Sequence, residues 1–143
     1  MLTSSFIIRS ALEMEELGSR IGVKLKIGEL VLLNGELGAG KTTLTRGIGL
    51  ALGATEVSSP TFVISRRYSG VIPLVHVDAY RLLGNELALF DDLDLESLIP
   101  HSITVIEWGA GLIDRLGLAY LTVDIDFGDD ADERLVKITG LSL

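Results

Sequence analysis

Leu30-Val31-Leu32-Leu33 is an uninterrupted apolar run, and just beyond it the chain reads Gly35-Glu36-Leu37-Gly38-Ala39-Gly40-Lys41-Thr42. That octapeptide satisfies G-x-x-x-x-G-K-[ST] at every fixed position. The apolar run is what a strand covered on both faces looks like. Behind the loop, Leu44, Ile48 and Leu52 recur at helical spacing as far as Gly53. A buried strand that feeds a glycine-rich turn and then a helix leaves little choice of fold. It calls for a three-layer α/β domain of the P-loop type.

The loop also dictates a chemistry. Glycines 35, 38 and 40 let the backbone turn tightly and bring its N–H groups up to phosphate oxygens without side-chain clash. A helix beginning near Lys41 adds the positive end of its dipole. Lys41 then reaches the β- and γ-phosphates, and the Thr42 hydroxyl takes a position on Mg²⁺. The binding stretch so defined is Gly35, Glu36, Leu37, Gly38, Ala39, Gly40, Lys41, Thr42 and Thr43. No N-K-x-D guanine-reading motif occurs, so ATP is preferred to GTP.

Such a site needs an acid for the metal on a neighbouring strand end. Glu107 directly follows Ile103-Thr104-Val105-Ile106, and Asp78 closes Leu74 to Val77. Carboxyl ends of strands face the crevice in which open α/β sheets bind ligands.

The remaining elements follow from pattern. Phe6 to Arg9 reads as a short strand, and Ser10 with Glu13 makes a capping box. Met14, Leu17, Gly18 and Ile21 continue as a helix with Gly22 as its stop. Thr61 to Tyr68 and Leu74 to Asp78 read as strands on either side of Gly70. Leu82 to Ile99 reads as helical and contains Leu83, Leu87, Phe90 and Leu98, the first three of them in the core. Tyr120 to Phe127 alternates apolar and polar residues, which predicts a strand with one wet face, at an edge. Gly128-Asp129-Asp130 turns the chain into a last strand through Val136 and Ile138, so an antiparallel edge hairpin finishes a mostly parallel sheet.

Nothing divides the chain, and 143 residues suit a single domain spanning 1–143. There are no cysteines and only His76 and His101, which excludes a disulfide scaffold, a thiol nucleophile and a histidine-rich metal centre. Residues 1–77 carry 8 basic and 6 acidic side chains, whereas residues 78–133 carry 2 basic and 14 acidic. Most of the second half therefore repels a phosphate backbone, and nucleic acid as a direct partner is disfavoured. No secretory signal or membrane-length apolar run is visible, so a cytoplasmic protein with no membrane partner is expected.

Four segments together resemble the TsaE family, small bacterial P-loop ATPases of tRNA threonylcarbamoyladenosine biosynthesis. They are G-E-L-G-A-G-K-T-T from Gly35 to Thr43, S-P-T-F from Ser59 to Phe62, H-V-D-A-Y-R-L from His76 to Leu82, and I-E-W from Ile106 to Trp108. The resemblance implies that Thr42 and Glu107 hold Mg²⁺. It implies that Ser59-Pro60-Thr61 is switch-like, with Thr61 sensing the γ-phosphate, and that Asp78 positions the metal or the attacking water. It also places Ser10, Ala11 and Arg134 around the nucleotide. The implied role is slow ATP hydrolysis stimulated by a TsaD–TsaB complex, which modifies the adenosine beside the anticodon of tRNAs reading ANN codons. On that reading tRNA is met only through the complex.

Blander readings stand beside these. His76 fits a hydrogen-bonded histidine between apolar neighbours, and Tyr80 and Arg81 fit packing at a strand-to-helix junction. Trp108 fits either core filling or a plate beside the nucleotide or a partner, Thr61 a β-branched strand residue, and Arg134 a solvated hairpin charge. Two rival functions remain open: a small-molecule kinase, which needs an arginine-rich lid that the sequence from Leu82 to Asp114 lacks, and a nucleotide-regulated adaptor without productive hydrolysis.

Overall fold

Seven strands make one sheet in the order β1-β7-β6-β2-β5-β4-β3. The strands are β1 (Thr3–Ile8), β2 (Leu30–Gly35), β3 (Ser65–Tyr68), β4 (Leu74–Asp78), β5 (Ile103–Glu107), β6 (Tyr120–Phe127) and β7 (Arg134–Thr139). The helices are α1 (Ala11–Lys24), α2 (Lys41–Ala51) and the short α3 (Leu95–Leu98), which runs into a 3₁₀ turn at Ile99–His101. The computed structural model describes residues 2–54, 65–78, 95–108 and 117–143. The expected strand segment 61–64, and Leu83, Leu87 and Phe90 of the expected helix, lie outside them.

The apolar run of β2 places it between β5 and β6, parallel to both, and β4 continues the parallel block beyond β5. Val31 is in register with Val105, and Val105 with His76; Leu33 is in register with Glu107, and Glu107 with Asp78. Side chains in register share a sheet face, so these form two adjacent rows on one side. The opposite face carries Leu30, Leu32, Val75, Val77 and Ile106, all buried. Burial on both faces, worth roughly 1.5–3 kcal/mol per large apolar side chain, is why β2 and β5 carry no alternation. Antiparallel pairs close the sheet: β3 with β4 at one margin, and β6 with β7 and β7 with β1 at the other. A mostly parallel P-loop sheet with an antiparallel margin is the fold that the loop and its flanks called for.

The local differences have physical causes. β6 is not at an edge; it pairs with β2 on one side and β7 on the other, and β1 is the outermost strand. Its alternation reports a face left wet, since Thr122 and Asp124 are only half-buried, and says nothing about lateral position. α1 runs past Gly22 to Lys24 because Gly22 is a packing residue: a Cβ there would lie 2.7 Å from the Ala51 Cβ and 2.9 Å from the Ile48 carbonyl. The same contact continues at Gly18 and Gly47, where a Cβ would sit 2.1 Å and 2.0 Å, respectively, from a carbonyl oxygen of the facing helix. Ser19 Oγ donates to the Gly47 carbonyl at 3.0 Å along this seam. α1 therefore lies flat on α2, and its first turn comes to rest beside the glycine-rich loop. Ser10 caps it, with the Glu13 amide donating to Ser10 Oγ at 3.1 Å. The reciprocal bond is displaced by one residue, from the Arg9 amide to Glu13 Oε2 at 2.6 Å. Among the described residues no helix is long and apolar enough to cross a membrane.

Candidate functional site

β2 delivers the chain to Gly35 at the carboxyl end of the sheet, and the loop that follows turns on two left-handed residues, Gly38 at φ 81° and Gly40 at φ 113°. Side chains are strained at such angles. At Gly40 one would also crowd Met14, whose Cε lies 3.2 Å from where a Cβ would sit. The Ala39 amide closes the loop on the Glu36 carbonyl at 3.0 Å, while Glu36, Leu37 and Gly38 stand exposed at its tip. α2 then begins at Lys41, with Gly40 as an N-cap that brings no side-chain bond and with no acid in the first turn. Nothing within the helix neutralises its positive end, which is the condition for receiving an external anion.

Lys41 is buried under that turn and serves three neighbours at once. Its Nζ donates to the Gly35 carbonyl at 2.5 Å, lies 3.8 Å from Glu107 Oε1, and sits 4.5 Å above the Trp108 ring. Glu107, 6% exposed, completes its pairing through Oε2, which meets His76 Nε2. A buried carboxylate left without such partners is costly, so the three side chains stand or fall together. Trp108 takes φ 58°, alone among the non-glycine residues described. That conformation costs about 1–3 kcal/mol and turns the chain sharply as it leaves β5. Trp108 is 45% exposed, which removes the core-filling reading. Asp78 ends β4 in register with Glu107 and on the same face.

On the other side of α2 a cavity of about 220 Å³ opens between the loop, the first turn of α1 and the β6–β7 hairpin. Ser10, Ala11, Gly38, Gly40, Thr43 and Arg134 are among its walls. Arg134 is half-buried, not a solvated hairpin charge. Its Nε donates to the Ala39 carbonyl at 3.2 Å, its Nη1 to the Ala131 and Glu133 carbonyls at 2.7 and 2.9 Å, and its guanidinium stacks 4.7 Å from the Phe127 ring.

The structure thus gathers the sequence candidates into two neighbouring groups flanking the loop. Lys41, Glu107, Trp108 and Asp78 stand toward β5 and β4, and Ser10, Ala11, Thr43 and Arg134 stand toward β6 and β7. Thr42, half-buried in the first turn of α2, lies at the junction. Thr61 lies outside the described residues, as do Ser59, Pro60, Phe62, Tyr80 and Arg81. Two contributors escaped the sequence reading. Asp132 and Met14 both line the cavity; the first looks like one more acid in an acidic turn, the second like ordinary helix core.

A family model described as threonylcarbamoyl adenosine biosynthesis protein TsaE matches residues 8–136. The chain belongs to the TsaE family. Among TsaE relatives named as tRNA threonylcarbamoyladenosine biosynthesis proteins, that of Streptomyces coelicolor is 52% identical over 135 residues, covering 90% of each chain. That of Mycobacterium bovis is 41% identical over 128 residues, covering 83% of this chain and 76% of its own. The crystal structure of YdiB from Bacillus subtilis superposes with a TM-score of 0.78 at 28% identity, covering 99% of this chain and 87% of that one. This chain therefore shares its fold with a solved structure over nearly its whole length.

Proposed function

We propose that this protein is a Mg²⁺-dependent ATPase of the cytoplasm that supports a TsaD–TsaB complex in threonylcarbamoylation of the adenosine next to the anticodon in tRNAs reading ANN codons. Membership in the TsaE family supports the pathway. One observation carries the ATPase reading: Lys41 and Glu107 meet at 3.8 Å, both buried, beneath a loop whose helix end is uncapped.

The ligand would span both groups flanking the loop. Its nucleoside would occupy the cavity bounded by Ser10, Ala11 and Arg134, and its phosphates would cross the amides of Gly35 to Thr43 toward Lys41. The donor set fits magnesium, a hard ion that takes one or two protein oxygens and leaves the rest to phosphate and water. Thr42 and Glu107 would hold it, and it would supply charge neutralisation on the phosphates. Lys41 would leave the Gly35 carbonyl to meet phosphate charge, and Asp78, beside Glu107, would orient water. Thr61 would sense the γ-phosphate, and Trp108 would pack beside the nucleotide.

No sequence motif of this chain places an arginine at the Lys41–Glu107 pair, and an arginine finger supplied by a partner is worth on the order of 10³–10⁵ in rate. Slow intrinsic turnover that rises with the partner complex is therefore expected, with tRNA met only through that complex. Mixing the purified protein with TsaD–TsaB and measuring phosphate release tests this directly: turnover rises at least tenfold, and an unchanged rate sinks the proposal. Phosphorylated product in place of free phosphate favours a kinase instead.

A further inference from the structure

His76 stands in a row otherwise filled by Val31 and Val105, and its imidazole is 0% exposed. A buried polar ring gives up its water, and each nitrogen left without a partner adds to that cost. Among the described residues Nδ1 has no partner. Packing alone does not explain a residue placed so expensively. Among the described residues its one polar contact is Nε2 with Glu107 Oε2. An ionised carboxylate only accepts hydrogen bonds, so Nε2 carries the hydrogen shared with Oε2. The consequence falls on Glu107. With Oε2 tied to the ring, rotation of the carboxylate is blocked and Oε1 is the oxygen presented toward Lys41.

We infer that His76 is a positioning residue, clamping Oε2 of Glu107 so that Oε1 alone is offered to the cation at the phosphate end of the site. The offer to magnesium rests on the ATPase reading; the clamp itself does not. Groups that hold a metal-ligating side chain in place are worth roughly 10–100-fold in metal affinity.

The chain's single tryptophan, Trp108, lies against Lys41 and gives a signal independent of turnover. Mg²⁺ is titrated into ADP-loaded wild type, His76→Phe and His76→Gln while tryptophan emission is followed. His76→Phe needs about 10–100-fold more Mg²⁺, its affinity for ADP in EDTA stays within about twofold of wild type, and His76→Gln, whose amide donates from the place of Nε2, recovers most of the loss. Coincident Mg²⁺ curves for wild type and His76→Phe overturn the inference. If His76→Phe does not fold by circular dichroism, His76→Gln is compared with His76→Asn, whose shorter amide falls short of Glu107, with equal curves again overturning it. Absence of ADP binding by the wild type both in EDTA and with Mg²⁺ defeats the ATPase reading; in that case, or where ADP binds only with Mg²⁺, the clamp is judged on ¹⁵N spectra of the His76 ring. A protonated Nε2 that shifts in Glu107→Ala supports it; an Nδ1–H tautomer, or no shift, refutes it.

Discussion

Arg134 shows how much a single side chain settles at this site. Its Nε holds the Ala39 carbonyl of the loop while its Nη1 holds two carbonyls of its own hairpin, so it ties the last hairpin to the glycine-rich turn 95 residues away in sequence. Hydrogen bonds from a charged donor are worth about 1.5–3 kcal/mol each. Arg134→Ala is therefore expected to raise the dissociation constant for ATP about tenfold or more by isothermal calorimetry. Arg134→Lys does not restore it, because an ammonium cannot reproduce a planar fork that reaches both partners. Lys41 and Thr42 were legible from spacing alone, since a local motif fixes their place on a helix start. Arg134 and Asp132 were harder to place, because strand register across the sheet brings them to the loop and no local pattern encodes that. His76 was visible as a residue but not as a partner of Glu107; the diagonal from β4 to β5 that joins them belongs to the fold.

Among elements, the α1–α2 seam carries the most consequence. Leu17, Ile21, Leu44 and Ile48 at helical spacing announced two buried faces, and both helices form where those faces predict. What the spacing did not convey is that the helices meet through glycines. A Cβ at Gly47 would lie 2.0 Å from the Glu15 carbonyl oxygen and 2.9 Å from its carbon, both main-chain atoms that cannot rotate away. Gly47→Ala is expected to cost about 1–3 kcal/mol in urea unfolding, as overpacking of a tight contact does, and to weaken nucleotide binding along with it. The misplacement of β6 has a similar root. Alternation in a strand records which face meets water, and the antiparallel strands β7 and β1 were free to extend the sheet beyond it without altering that record.

At the scale of the whole molecule, the proposed ligand would join parts that are far apart in the chain: the first turn of α1, the loop, the end of β5 and the last hairpin. A ligand that binds only the assembled form stabilises it by mass action, by about 2.7 kcal/mol at a hundredfold excess over its dissociation constant. For a chain of this size that raises the melting temperature by roughly 5–10 °C. Scanning calorimetry with and without Mg²⁺ and ATP is expected to show that shift in the wild type and little of it in Lys41→Ala.

The backbone contact between Gly18 and Gly47 has a bearing on how such a protein is retuned. With no side chain interposed, the spacing between α1 and the helix that carries Lys41 is set by main-chain dimensions. For the nucleoside proposed to bind here, retuning the cleft therefore falls to the side chains that line it, Met14 and Thr43 on the helical side and Asp132 and Arg134 on the hairpin, and not to the distance between the helices.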